Sequence, residues 1–303
     1  MTHPQGDGIE AARIGVERLC LAAGVSRASY YRSFAETAPK LEETEVRHQV
    51  QLASLAWPKW GARRITALVR RQGWPVNHKR VERIRKEDNL LCVKRTLFKP
   101  ATTNARHSWT VWPNLAWRLE LTDINQLWVA DITYVRLLET FVYLAVILDA
   151  FSRKVVGWAM ADHLRASLAL AALDMALKTR QVVPDGLVHH SDRGVQYACG
   201  DYVDRLRAAG VQPSMSKAGC PYDNAQAESF MATLKREQID GRRYRNLAQA
   251  RAEIGRFIDL IYNRQRLHSA LGYRPPEEFE ANLSTPLWTA SRGPQPLQPM
   301  SPN

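Results

Sequence analysis

The chain has 303 residues, more than one typical domain, and its 45% hydrophobic content is enough for a sizeable core. Its formal net charge of +12 is uneven: residues 1–120 carry 21 Lys/Arg against 11 Asp/Glu, whereas residues 121–303 carry 21 against 19. A basic front half on a near-neutral back half is the footprint of a nucleic-acid-binding module joined to something else.

Cys20, Cys92, Cys199 and Cys220 are scattered with no C-x-x-C pair, which argues against a zinc site or a disulfide framework and fits a reducing cytoplasm. The longest strongly apolar run, Phe141 to Leu148, is far short of the ~18 residues a membrane span needs. The N-terminus lacks the basic-then-apolar layout of a signal peptide. The expectation is a soluble, cytoplasmic protein.

Residues 1–12 are polar and read as a loose end. Val16, Leu19 and Cys20 recur at the spacing of one helix face. After Gly24, Ser26 is placed to cap a second short helix bearing Arg27, Tyr31 and Arg32. This pair is a candidate helix-turn-helix, although any helical hairpin can look like it. A charged segment, Lys40 to Arg47, is read as a joint.

A stronger helix-turn-helix follows. Ile65, Leu68 and Val69 mark a helix whose outer face holds Arg63, Arg64, Arg70 and Arg71, and Gly73 ends it. Asn77 caps the next helix, His78 to Lys86, with Val81 and Ile84 inward. Its exposed side offers Lys79, Arg80, Arg83, Arg85 and Lys86. Within residues 51–112 there are 14 basic and 3 acidic residues. A merely solvated face usually mixes signs, so this one is expected to neutralise phosphates.

From Leu127 the pattern changes to strands. Trp128, Ala130, Ile132 and Tyr134 share one face, with Val129, Asp131, Thr133 and Val135 on the other. Phe141 to Leu148 reads as a strand covered on both sides, and Lys154 to Met160 as a third in an antiparallel meander. A helix from Ser167 to Lys178 has Leu170, Leu173 and Leu177 on one stripe. Gly186 to His190 is a fourth strand ending at Asp192. A helix from Tyr202, a fifth strand around Val211 to Ser216, and a helix carrying Glu228 complete an α/β sheet with flanking helices.

These readings divide the chain into a helix-turn-helix-like segment (1–45), a second such module (46–98), a linker (99–120), the α/β core (121–284) and a Pro-rich tail (285–303) expected to be disordered.

Three carboxylates stand out. A strand Asp such as Asp131 needs a cation, a hydrogen-bond set or a metal. If strands one and four are neighbours, Asp131 and Asp192 can converge, with Glu228 closing the group from its helix. Oxygen-only ligands suit Mg²⁺ or Mn²⁺, and two such ions would serve an in-line phosphoryl displacement. Each residue also has a bland reading: local hydrogen bonding for Asp131, a turn for Asp192, a helix surface for Glu228. Asn224, Glu228 and Lys235 share one helix side, which favours a site for a phosphate backbone. A zinc reading of His189 and His190 is disfavoured, because adjacent strand residues point oppositely.

Trp128-x-x-Asp131-Ile-Thr, His190-Ser-Asp192-Arg-Gly and Asp223-Asn224-x-x-x-Glu228-Ser-Phe resemble the catalytic core of retroviral-type integrases and DDE transposases. The 35 residues between Asp192 and Glu228 match the spacing of that superfamily. Ser214-Met-Ser-Lys217-x-Gly219, Leu234-Lys235-x-Glu237 and Tyr262-Asn263-x-x-Arg266-x-His268 narrow the resemblance to the OrfB subunit of bacterial insertion sequences of the IS-three family. Trp60-Gly-x-Arg63-Arg64-Ile and Val76-Asn77-x-Lys79-Arg80-Val match its upstream helix-turn-helix.

The resemblance implies an RNase H-like fold, here a five-stranded mixed sheet preceded by all-α DNA-binding modules. It implies two divalent ions held by Asp131, Asp192 and Glu228, cleavage at the element's ends, and attack of the freed 3′-OH on another phosphodiester. Lys235 matches the family's cation on the terminal DNA and Asn224 its amide before the glutamate. Arg266 and His268 either contact DNA or brace the last helix. Double-stranded DNA, further copies of the chain, and an upstream-frame OrfA product or fusion are the implied partners. Val195 replaces a common Ser and Ala62 a common aromatic residue; neither touches a ligand carboxylate. The alternatives are a DNA-binding regulator with a silent core and an RNase H-like nuclease that cuts without joining. The intact triad disfavours the first and the upstream DNA modules the second.

Overall fold

A computed structural model describes residues 16–34, 41–92, 111–117, 119–217 and 224–283. The expected loose end, most of the linker, Lys217-x-Gly219 beyond Lys217, Asp223 and the Pro-rich tail lie outside the described residues. The chain divides into two compact units, residues 1–49 and 50–303. Among the described residues no helix is long and apolar enough to cross a membrane.

In the first unit, α1 (Val16–Ala22) and α2 (Arg27–Phe34) flank Gly24, whose φ of +64° suits a residue without a Cβ. The Ser26 hydroxyl accepts from the Ser29 amide at 3.1 Å, capping α2. The expected joint at 40–47 is instead largely helical: α3 spans Leu41–Ala56. Val46, Val50 and Ala53 are buried at helical spacing, so this segment has an apolar stripe that its charges mask.

The second unit opens with the rest of α3, then α4 (Ala62–Arg71) and α5 (His78–Glu87). Ile65 and Val69 of α4 and Val81 and Ile84 of α5 are fully buried. Gly73, at φ +92°, ends the first of these helices, and Asn77 Oδ1 accepts from the Arg80 amide at 3.0 Å to begin the second. Arg63, Lys79, Arg83 and Lys86 are exposed and Arg80 is half-buried. Arg85 departs from the expected outer face. It is 2% exposed and its Nε donates to the Leu90 carbonyl at 3.1 Å, because position 85 lies next to the Val81–Ile84 stripe.

The core is a five-stranded sheet in the order β3-β2-β1-β4-β5. β1 (Leu127–Arg136), β2 (Phe141–Asp149) and β3 (Val155–Ala161) form the antiparallel meander. β4 (Leu187–Ser191) runs parallel to β1, and β5 (Val211–Met215) parallel to β4. The sheet is therefore mixed, with helices on both faces.

On one face lie α6 (Ala166–Thr179), the short α7 (Val195–Ala198) and α8 (Gly200–Ala208), packed with Trp128, Ala130 and Ile147. Of the expected stripe on α6, only Leu173 is fully buried; the true contact face is Leu168, Ala169, Ala172, Leu173 and Ala176. The alanines let the helix lie so close to Gly157 of β3 that a Cβ there would collide with the Ala172 carbonyl.

On the other face, α9 (Ala225–Leu234) and α10 (Leu247–Arg256) cover Leu127, Val129, Val135, Leu144 and Val146. Each continues into a π-helical turn, Lys235–Ile239 and Phe257–Tyr262. α11 (Pro276–Leu283) closes the described chain.

Candidate active site

The β1 alternation decides where Asp131 sits. Val129 and Val135 pack beneath α9 and α10, so Asp131, of the same parity, belongs to that face. β4 pairs with β1 in parallel register, Val129 opposite His190, and Asp192 follows one residue beyond the strand end. Glu228 is exposed in the first turn of α9, the helix laid across this face. Three carboxylates from two adjacent strands and one overlying helix thus share one side of the sheet.

Local contacts fix the two aspartates. Asp131 Oδ1 accepts from the Ile132 amide at 2.8 Å, and Asp192 Oδ1 from the Gly194 amide at 3.0 Å. A Cβ on Gly194 would stand 3.0 Å from that same Asp192 oxygen, so a side chain there would press on the aspartate. Arg193 Nε donates to the Ser216 carbonyl at 2.9 Å and ties the loop to the end of β5. Asn224, buried at the start of α9, donates from Nδ2 to the Ala130 carbonyl at 2.9 Å. Lys235 Nζ lies 4.9 Å from the centre of the Tyr134 ring, a cation held against β1 beside the acidic cluster.

Burial, with the negative charges of Asp192 and Glu228 behind it, pushes Asp131 up to about 7, against the Ile132 hydrogen bond and the attraction of Lys235. Among the described residues, no three His, Cys, Asp or Glu groups are already gathered closely enough to hold one metal ion. Mutual repulsion keeps like carboxylates apart, and a cation or a proton relieves it.

Two buried polar atoms at the cluster make no hydrogen bond within the described residues: Tyr197 Oη and Asn224 Oδ1. Tyr197 lies behind Gly194, and its hydroxyl is pushed well above its ordinary range by burial, then Tyr202, Asp192 and Asp131. An all-oxygen donor set flanked by an unsatisfied hydroxyl and amide oxygen fits a hard, hydrated divalent cation. Sequence reasoning missed Tyr197, although it lies only five residues beyond Asp192.

Asp149 is a fourth carboxylate on the sheet, but its work is structural. Its oxygens accept from the Asn125, Phe151 and Ser152 amides at 2.7, 2.9 and 2.9 Å. His189 meets Tyr202 Oη at 3.0 Å and His190 meets Ser214 Oγ at 2.8 Å, on different sides of β4. Burial drives His189 down to about 3, so it is neutral.

Of the cations expected to meet DNA, Arg63 is exposed and lines a cleft of about 310 Å³ with Arg70, Arg71, His78 and Tyr273. Arg64, Arg266 and His268 are not presented outward in this way. Arg64 Nε donates to the Leu267 carbonyl at 2.9 Å, and Arg266 binds Glu237. His268 is driven down to about 3 by burial and by the charges of Arg266, Arg64 and Arg153. An uncharged, enclosed imidazole is poorly suited to neutralise phosphate, and the geometry favours bracing for these three.

The chain matches the integrase core domain over residues 122–221, a second integrase core domain over residues 209–276, and an HTH-like domain over residues 41–96. It is 38% identical over 266 residues to the insertion element IS600 uncharacterized 31 kDa protein of Shigella sonnei, covering 86% of this chain and 97% of that one. It is 36% identical over 276 residues to the transposase InsF for insertion sequence IS3A of Escherichia coli, covering 89% and 95%. Among solved structures, the HTLV-2 integrase catalytic core domain in complex with magnesium shares 13% identity, covering 52% of this chain and 96% of that one, at a TM-score of 0.40.

A helix-turn-helix-like module joined to an integrase core defines a polynucleotidyl transferase that acts on DNA. At this level of identity over nearly the full length of its relatives, the chain belongs to the IS3 family of insertion-sequence transposases.

Proposed function

We propose that this transposase cuts and joins DNA at Asp131, Asp192 and Glu228 by direct in-line phosphoryl transfer, with divalent cations, Mg²⁺ or Mn²⁺ and two per site, held by these carboxylates. The observation that carries the reading is the shared face: two aspartates from the parallel neighbours β1 and β4, beneath the helix that carries Glu228.

When bound, the ions would lower the charge of the reacting phosphate and favour the deprotonated form of the attacking oxygen. In the first reaction, water attacks a phosphodiester at an element end and a 3′ oxygen leaves with a proton. In the second, that 3′-OH attacks a target phosphodiester. One P–O bond forms for each that breaks, so no nucleotide or redox cofactor is consumed. Lys235, stacked on Tyr134, supplies a fixed positive charge for a non-bridging phosphate oxygen, and Asn224 holds the start of α9 against β1.

Arg63, Lys79, Arg80, Arg83 and Lys86 provide the phosphate contacts that hold duplex DNA, through a salt-sensitive and largely sequence-blind attraction. The chain acts as a homo-oligomer on DNA, since the reaction engages two element ends, and an upstream-frame OrfA product or fusion is a candidate partner. The test is Mg²⁺-dependent cleavage of duplex DNA carrying the sequences that flank the gene. Glu228→Gln and Asp131→Asn should each abolish cleavage while leaving DNA affinity nearly intact. Cleavage at the normal rate by Glu228→Gln would overturn the assignment.

A further inference from the structure

The helix that carries Glu228 is fixed at both ends, and the second fixing leads to the helical module. At its start, Asn224 binds the Ala130 carbonyl of β1. Past its end, the chain continues as the π turn Lys235–Ile239, in which the Glu237 side chain is only 5% exposed. π turns inside helices are frequently found at functional sites.

Glu237 is held from two directions. Arg266, also 5% exposed, donates from Nε to Oε2 at 3.1 Å and from Nη2 to Oε1 at 2.9 Å. Arg64, from α4, brings Nη1 to 3.8 Å from Oε1, donates from Nε to the Leu267 carbonyl, and lies over the Trp60 ring at 5.5 Å. Lys59 Nζ reaches the carbonyls of Glu237 and Asp240, each at 3.5 Å, at the C-terminal end of the same turn. A cation at a helix C-terminus complements the exposed carbonyls there.

The Arg266 guanidinium is buried, and that of Arg64 is half-buried and turned toward Glu237 and the Leu267 carbonyl. Burial, then the like charge of Arg266, lowers Arg64 to about 10, with Glu237 opposing. Arg64 therefore stays charged at neutral pH, and the carboxylate it faces is also the anchor of α9. Lys235 lies two residues before that anchor, and Glu228 nine residues before it, roughly 13 Å along the helix axis at 1.5 Å per residue.

We infer that Glu237, Arg64 and Arg266 form a clamp through which the helix-turn-helix module sets the position of α9, making Arg64 a positioning residue for Glu228 and Lys235 and not a phosphate contact. DNA held on the basic face of α5 is then linked, through the packed α4–α5 pair, Arg64 and Glu237, to the helix that completes the carboxylate cluster. The inference rests on the reading of Glu228 as a catalytic residue.

The test uses the full chain, Mg²⁺ and duplex DNA bearing the sequences that flank the gene. Arg64→Met keeps the apolar stem against Trp60, and Arg64→Lys keeps the charge while losing the fork. With Arg64→Met, kcat for cleavage should fall about tenfold or more while KM and the salt dependence of DNA binding stay at the wild-type values. Arg64→Lys should recover part of the lost kcat. A salt slope reduced by about one would make Arg64 a phosphate contact, and an unchanged kcat would remove the clamp; either result overturns the inference. If Arg64→Met fails to melt cooperatively, Arg64→Gln, which also loses the charge but keeps a polar end, carries the same two criteria. Wild-type cleavage that is lost in Glu228→Gln must be seen in the same assay. Its absence would sink the catalytic reading, whereas its presence with Arg64 variants at full rate sinks only the clamp.

Discussion

Asn224 donates its side-chain amide to the carbonyl of Ala130, the residue before Asp131, at 2.9 Å. This bond ties the start of α9 to the strand that carries the half-buried Asp131, so it helps to set the spacing of Glu228 from Asp131. Asn224→Ala should lower cleavage and Mn²⁺ affinity by about 10- to 100-fold, the usual range for groups that orient ligands, with DNA affinity preserved. Titration with Mn²⁺ followed by electron paramagnetic resonance measures the first directly. A loss confined to DNA binding would assign Asn224 to the DNA surface instead.

Asp131, raised to about 7 by burial and its acidic neighbours, should exchange a proton for a metal. The sign follows from the charge states: below about pH 7 the metal-free carboxyl is largely protonated, and a ligating carboxylate is not. Calorimetry in buffers of different ionisation heat should therefore register proton release on Mn²⁺ binding near pH 6 and little near pH 8.5. Asp131→Asn should erase the difference. In the metal-free protein the same raised pKa favours the folded state at acid pH. Its contribution is full below the unfolded value near 4 and is lost as the pH rises through about 7.

Tyr197 carries a buried hydroxyl with no hydrogen-bond partner among the described residues, next to Asp192. Removing an unsatisfied buried group relieves a penalty of about 1–3 kcal/mol. Tyr197→Phe should thus raise the melting temperature of the metal-free protein. If the hydroxyl serves the bound ions or their water, the same variant should bind Mn²⁺ more weakly. Unchanged melting and unchanged affinity together would show that the group is satisfied by solvent alone.

On α5, Arg83 and Lys86 are exposed, and the ion pair of Arg83 with Glu87 at 3.8 Å is a surface pair worth little. Neutralising both should weaken duplex binding and reduce its logarithmic salt slope by about 2, measured by fluorescence anisotropy across a salt series. An unaltered slope would take this helix face out of the interface.

The parts legible in the sequence were those that local chemistry dictates. Asn77 as a cap, Gly73 as a helix stop and the alternation that sends Asp131 to one side of β1 are all properties of a few adjacent residues, and each is found in the fold. The pairing of β1 with β4 was only conditional, because nothing local selects a partner strand some sixty residues away. Residue type and helical position make Arg64 and Arg85 look like outward cations, and the resemblance leaves Arg266 open between DNA contact and bracing. Their burial depends on Glu237 and the Leu90 and Leu267 carbonyls, which tertiary packing brings to them. α3 was overlooked because its charges hide a short apolar stripe, and the contact face of α6 was misplaced because leucine outweighs alanine in a hydrophobic pattern.

The parallel contact of β1 with β4 also bears on how the protein comes into being. The meander β1–β2–β3 closes through short turns and can form early, whereas the β4 partner arrives only after α6 has been made and folded back. Asp131 is therefore laid down on a surface that gains Asp192 only with β4 and Glu228 only with α9. The longest-range contact in the sheet is thus also the one that puts Asp131 and Asp192 on neighbouring strands, and it is made late.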